Sequence, residues 1–352
     1  MDEIKVLVAD KSLIYKQMFT QGIAEVTKNA AVVSVADGDE ALAQIKRNNF
    51  DIIIIDAEIS GMNLFELIKV IRIDIPKAFI LVMARPSSAH DKLFPEAFLK
   101  GATECMIKPI YDSYSENLDI IKRKVTDIAS ILFVNNDEKN SSATSLPVHD
   151  IIPDKDNTFS PDIVLIAAST GGPIALETVL SQLHRNFPVP ILIVQHIPMS
   201  FTENLARNLD HKAKIKVKVA ENDEPISAGT AYIAPGGAHM TLDKRQRIYL
   251  DDSPPRSGVR PAADVLFESV AKNFAGSGIL VVILTGMGSD GKEGLIKLKA
   301  KRECCCLVQS EETCVVYGMP RAVTENNLAD WILDLDMISS KIEQFDFNQV
   351  KS

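Results

Sequence analysis

The chain has 352 residues, 46% hydrophobic and 24% charged, with a formal net charge of −9. That length is long for one core and points to two domains, and the acidic balance excludes a protein that grips nucleic-acid phosphates through a dominant basic surface. The longest apolar run, "ILVVIL" (279–284), falls far short of the ~20 residues a membrane helix needs, so no membrane insertion is expected.

The opening "MDEIKVLVAD" carries acids and runs straight into a strand pattern, unlike a signal peptide. Strand-like runs follow at 4–10, 32–37, 51–56, 78–84 and 104–108, with helical patterns such as "DEALAQIKR" and "NLFELIKVIRI" between them. Five β-then-α units with apolar strands predict a parallel sheet covered on both faces. Such sheets carry their sites at the carboxyl ends of the strands. Asp10, Asp56 and Lys108 all stand at such ends.

From about 132 to 160 the pattern dissolves into a stretch rich in Asn, Asp, Ser and Pro. That composition reads as a linker, which gives domains over 1–131 and 161–352. A second alternating series then begins with "DIVLIAAS" and "PILIVQH". "MTLDKRQRIYLDD" reads as a hairpin, and "GILVVILT" (278–285) and "CCCLVQ" (304–309) as further strands. The fold class is α/β throughout: a flavodoxin-like five-stranded unit, then a doubly wound, mostly parallel unit. The five cysteines, Cys105, Cys304, Cys305, Cys306 and Cys314, are odd in number and clustered, which does not suit a secreted disulfide framework. Neighbours in a strand face opposite ways, so "CCC" suits one metal poorly. Reduced, mostly buried thiols and a cytoplasmic location are expected.

Three strand ends of the second unit carry chemically useful residues. "IAAS" ends on Ser169, "ILIVQH" on His196, and "ILTGMGSDG" holds Asp290 in a glycine-rich loop. A free serine is a weak nucleophile near neutral pH. A histidine can take its proton, and a carboxylate can fix the imidazole tautomer. The phosphate-cradle alternative for "IAASTGGP" lacks the lysine of a Walker loop and the G-x-G-x-x-G spacing of a dinucleotide site. The G-x-S-x-G elbow is also absent, because Ala167 replaces its first glycine. Amides in this turn and in "GMGSDG" could stabilise an oxyanion. On the residues alone, a triad and three unrelated structural roles both remain open: Ser169 as a helix N-cap, His196 as a packed strand end, and Asp290 as a turn residue.

"IAASTGGP", "IVQHIPMSFTENLARNLD", "AYIAPGGAHM", "RPAADVLFESVA", "ILTGMGSDGKEG" and "CVVYGMPRAV" resemble, in order and spacing, the signature blocks of the CheB family of chemotaxis protein-glutamate methylesterases. The resemblance covers about 162–348. It implies that Ser169, His196 and Asp290 are the catalytic triad and that amides around Thr170 and Met287 serve the oxyanion. It also implies hydrolysis of γ-glutamyl methyl esters on the cytoplasmic helical bundle of methyl-accepting chemotaxis receptors, deamidation of receptor glutamines, and no cofactor for catalysis. Arg256, Arg260, His239, Glu312, Thr313 and Met319 lie in or beside the other blocks, with substrate contact and plain packing both open. One departure is Lys301 to Glu303, where the family has a Gly-Ala turn; a glycine helix cap is lost there.

The first unit is similar to the receiver domains of response regulators, phosphorylated by a CheA-type histidine kinase. By that resemblance Asp56 is the phosphoacceptor, Lys108 the phosphoryl-contacting lysine, and Asp10 with Asp56 the Mg²⁺ site. Two positions depart from the pattern. Lys11 stands where a second acid is usual, and Ala84 where a Ser or Thr ends the fourth strand. Mg²⁺ binding is therefore doubtful, and phosphorylation control is expected to be weakened. Lys11 turned inward as a metal mimic and Lys11 turned to solvent are both open.

Overall fold

The computed structural model describes residues 3–27, 29–86, 90–137, 159–345 and 347. The chain forms two compact units, residues 1–144 and 145–352. Most of the segment read as linker, 138–158, lies outside the described residues.

The first unit runs β1 (Ile4–Ala9), α1 (Leu13–Val26), β2 (Ala30–Val35), α2 (Gly38–Ile45), β3 (Ile52–Asp56), α3 (Leu64–Asp74), β4 (Phe79–Ala84), α4 (His90–Lys100), β5 (Glu104–Ile107) and α5 (Tyr114–Asp137). α5 thus continues six residues, 132–137, into the stretch read as linker. The strands pair in parallel in the order β2-β1-β3-β4-β5. β3 and β4 are buried at every position, as a sheet covered on both faces requires. Because β1 and β3 are neighbours, Asp10 and Asp56 come side by side.

The second unit begins with β6 (Pro161–Ala168), α6 (Gly172–Gln182), β7 (Ile191–Gln195), α7 (Met199–Lys212), β8 (Lys216–Val219), β9 (Glu224–Pro225) and β10 (Thr230–Ile233). It continues with β11 (His239–Leu242), β12 (Arg247–Asp251), α8 (Ala263–Asn273), β13 (Gly278–Ile283), α9 (Lys292–Lys301) and β14 (Glu303–Gln309), and closes with α10 (Met319–Thr324), β15 (Trp331–Leu333) and α11 (Leu335–Glu343). Seven strands pair in the order β15-β14-β13-β6-β7-β10-β8, all in parallel. The antiparallel part is a separate sheet, β11-β12-β9, built on the expected hairpin.

Alternation along β6 splits the core in two. Ile163, Leu165 and Ala167 join a cluster with Leu266, Phe267 and Leu295 from α8 and α9 and Met240 from the hairpin. Val164, Ile166 and Ala168 join a second cluster with Leu176, Leu180, Leu209 and Ile338 from α6, α7 and α11. The chain moves one way from β6 to β7 and returns on the other side as β13. The carboxyl ends of β13, β6 and β7 therefore lie together at a topological switch point, where open α/β sheets bind ligands.

α9 ends without a left-handed residue. Arg302 caps it in an extended conformation, its amide bonded to Leu298 O at 2.9 Å. The missing glycine thus leaves no residue strained at that end. Gly294 has the firmer requirement: a Cβ there would lie 2.8 Å from Asp264 Cα, Asp264 O and Phe267 Cβ, where α9 presses on α8. Ala would gain about 1 kcal/mol of helix propensity, against an overpacking cost of about 1–3 kcal/mol. Gly294→Ala is expected to lower stability by about 1 kcal/mol, read as a lower urea midpoint at unchanged m-value.

Candidate active site

The turn "STGG" follows β6 directly. Gly171 takes φ +80° as the cap residue of α6, and a Cβ on Gly172 would lie 1.9 Å from Gln195 Oε1. Only glycine fits these two positions. Ser169 is therefore not the α6 N-cap, which corrects that option. Its hydroxyl caps no amide among the described residues, and the side chain is half-buried. The Ser169 amide continues the ladder to Thr285 O at 3.0 Å, and His196 N donates to Ala168 O at 3.1 Å. Side chains from both neighbouring strands hold the turn: Gln195 Nε2 donates to Ser169 O at 2.8 Å and Thr285 Oγ1 to Thr170 O at 3.0 Å.

His196, just past β7, is half-buried, and its Nε2 meets Asp290 Oδ2 at 2.8 Å. Asp290 is 5% exposed and accepts three further bonds. Oδ2 takes the Ala263 amide at 2.6 Å, and Oδ1 takes the Asp264 and Gly291 amides at 3.0 Å each. Burial opposes its charge. The His196 hydrogen bond and charge, with the Asp264 and Ala263 amides, outweigh burial and hold its pKa below the usual carboxylate range. Asp290 is thus more than a turn residue: it caps α8 and meets His196 as well. Nδ1 is the imidazole nitrogen that Asp290 leaves unengaged. No hydrogen bond joins Ser169 Oγ to His196 among the described residues; bonds of this kind commonly tighten when substrate binds.

Asp264 mirrors Asp290. It starts α8, is 2% exposed, and its Oδ1 takes the Gly291 amide at 3.0 Å and the Gly294 amide at 2.7 Å at the start of α9. Burial raises its pKa against the Gly294 amide, and the Asp290 charge raises it further. The sequence pattern passes over Asp264, Gln195 and Thr285. The available signal is a polar residue closing an otherwise apolar buried strand, as Gln195 closes "ILIVQ".

The amides of Thr170 and Met287 donate to no acceptor among the described residues. Gly286, before Met287, lies so close that its Cβ would fall 2.8 Å from Ser169 Cβ. The remaining expected residues divide differently. His239 is fully buried, with Nε2 on Pro254 O at 3.2 Å and the Ala262 amide on Nδ1 at 3.1 Å, so it ties the hairpin to the start of α8. Met319 is fully buried, and its Sδ packs against Gly286. Arg256 pairs with Glu268 at 3.0 Å, and Arg260 Nη1 donates to Asp252 O and Ser253 O. Thr313 Oγ1 accepts the Leu335 amide at 3.1 Å, and Glu312 is exposed.

In the first unit Lys108, 1% exposed, reaches Asp10 Oδ2 at 2.6 Å and Asp56 Oδ2 at 3.0 Å. The Asp56 contact is Coulombic, since Asp56 Oδ2 has no hydrogen bond among the described residues. Asp10 Oδ1 takes the Ser12 amide, and Asp56 Oδ1 the Glu58 amide at 3.2 Å. Burial raises the Asp10 pKa, against the Lys108 bond. Lys11 does not turn inward: it pairs with Glu58 at 3.1 Å on the surface, both side chains nearly half exposed. The cation between the carboxylates is Lys108. Ala84 is buried at the end of β4, its carbonyl taking the Lys108 amide at 2.8 Å. Among the described residues Asp56 Oδ2 is thus a buried acceptor without a hydrogen bond, and no group of three His, Cys, Asp or Glu could hold a metal. Lys108 stands between the two carboxylates that would hold Mg²⁺. None of the five cysteines forms a disulfide, and among the described residues no helix is long and apolar enough to cross a membrane.

The chain is thus a five-stranded parallel unit with Lys108 between two buried aspartates, followed by a larger α/β unit whose polar residues converge at a switch point. The CheB methylesterase family pattern matches residues 164–342, and the response regulator receiver pattern residues 6–117. The protein-glutamate methylesterase/protein-glutamine glutaminase of Geobacillus kaustophilus is 38% identical over 98% of this chain and 99% of its own. The protein of the same description from Halalkalibacterium halodurans is 36% identical over 96% and 97%. The crystal structure of the Thermotoga maritima CheB methylesterase catalytic domain matches at 40% identity over 52% of this chain and 97% of that one, with a TM-score of 0.49. The chain belongs to the CheB methylesterase family.

Proposed function

We propose that the chain hydrolyses γ-glutamyl methyl esters on the cytoplasmic helices of chemotaxis receptors, through Ser169, His196 and Asp290. The observation that carries this reading is the imidazole held at 2.8 Å by a buried carboxylate that stays ionised, at the strand end beside Ser169. His196 Nδ1 takes the Ser169 hydroxyl proton as Oγ adds to the ester carbonyl. Asp290 accepts the Nε2–H and stabilises the imidazolium. The Thr170 and Met287 amides receive the oxyanion. Collapse expels methanol, which takes the proton from the imidazolium. Water then cleaves the acyl-enzyme with His196 as base again, leaving glutamate. A receptor glutamine follows the same course with ammonia leaving, and neither reaction requires a cofactor. Methanol release from a methylated receptor fragment tests the reading: equal rates for the wild type and Ser169→Ala would end it.

The receiver unit is proposed to respond weakly to phosphorylation by a CheA-type kinase. Lys108 is placed to contact a phosphoryl group on Asp56, but Ala84 offers no hydroxyl to follow it and Lys11, paired with Glu58, supplies no second acid beside Asp10. Incubation with a small phosphodonor and Mg²⁺ is expected to leave little phosphate on Asp56 and an essentially unchanged esterase rate. A stable acyl phosphate with a large rate increase would overturn this.

A further inference from the structure

Gln195 occupies an unusual position. It is 1% exposed, closes β7 and immediately precedes His196. Its Nε2 donates to Ser169 O at 2.8 Å and to His196 O at 3.2 Å, so one amide group spans the carbonyls of both residues. The orientation of that amide is fixed by chemistry, because the end facing two carbonyl oxygens must be the donor. Its Oε1 then lies against Gly172 at the start of α6 with no hydrogen bond among the described residues. A buried acceptor without a partner is costly and calls for an explanation. The positive end of α6 offsets part of that cost. The glycine at 172 is what admits the oxygen, since a Cβ there would fall 1.9 Å from it.

We infer that Gln195 is a positioning residue for the reaction: its amide sets the separation between the nucleophile turn and the base. Ser169 lies beyond β6 and His196 beyond β7. The His196 amide bonds to Ala168 O, and beyond it the Gln195 side chain provides the next tie between the two strand ends. An apolar side chain of the same size would fill the space and remove the unpaired oxygen, yet would leave both carbonyls without this donor. The inference rests on the proposed role of Ser169 and His196, and its test separates the two.

Methanol release is measured across pH for the wild type, Ser169→Ala, Gln195→Met and Gln195→Glu. Gln195→Met is expected to lose about 10²-fold in kcat, the scale of a misplacement near 1 Å, with KM little changed. Gln195→Glu carries a pH signature. Protonated, its carboxyl can still donate one hydrogen; ionised, it turns two oxygens on two carbonyls. Its rate relative to the wild type is therefore expected to fall as pH rises through the buried carboxyl's pKa. This readout serves even if Gln195→Met folds poorly. Equal rates for the wild type and Ser169→Ala would remove the catalytic reading itself. A Ser169-dependent rate that survives Gln195→Met, or a Glu-to-wild-type ratio that does not vary with pH, would overturn the role of Gln195 alone.

Discussion

Ser169→Ala, His196→Ala and the double variant are expected to release methanol at nearly the same residual rate, about 10⁴- to 10⁶-fold below the wild type. Nucleophile and base act as a unit, so removing either leaves little for the second removal to take away. On the proposed mechanism, what survives comes from the Thr170 and Met287 amides and from substrate binding, worth about 10³–10⁴-fold over water in comparable sites. The structure also supplies a control. The Ser169 hydroxyl caps nothing among the described residues, so Ser169→Ala is expected to change stability by no more than about 0.5 kcal/mol. Losses in the single variants that multiply in the double variant would show independent actions and break the triad.

The second large effect is at Asp290, where activity and stability should fall together. Asp290→Asn is expected to lower kcat by about 10⁴-fold, because an amide cannot hold His196 in the required tautomer. A carboxylate suits this place for a further reason. His196 and three backbone amides all donate to it, two donors on each oxygen. Asparagine would turn an NH₂ toward one of those pairs. The α8 cap is weakened as well, at about 1–2 kcal/mol, so the urea midpoint falls with the rate. The pH dependence has a definite sign. The Asp290 pKa is depressed in the folded protein, so its stabilising effect is present above the ordinary carboxylate range and disappears as pH falls through the depressed value. Asp290→Asn should remove that part of the acid sensitivity. An Asn variant with wild-type kcat would refute the orienting role.

Most of the strand positions follow from the apolar runs. Alternation in "DIVLIAA" sends three residues to each core cluster, and the five β–α units of the first half leave few topologies. The hairpin is legible from its alternation around a charged turn. Four features are not. The short strand β15 and the helix α10 lack a period long enough to read. Asp290, before Gly291, reads as a turn residue, but it also caps α8, a contact between segments 26 and 27 residues apart. Lys11 was open between two directions because a flexible side chain has no periodicity. The partner that settles it, Glu58, comes from the loop after another strand. Spacing along the chain shows which strand ends a residue occupies. It does not show which backbone amides a carboxylate will find there.

Asp264 and Asp290 hold each other's helix, the first at the start of α9 and the second at the start of α8. Fraying either amino end takes a carboxylate away from the other, so the two ends open cooperatively as one unit of local unfolding. The carboxylate that steadies His196 belongs to that unit. A molecule with this corner open keeps its serine and its histidine but has no orienter for the imidazole. If Asp290 orients the base as proposed, catalytic competence depends on a latch shared by two helices.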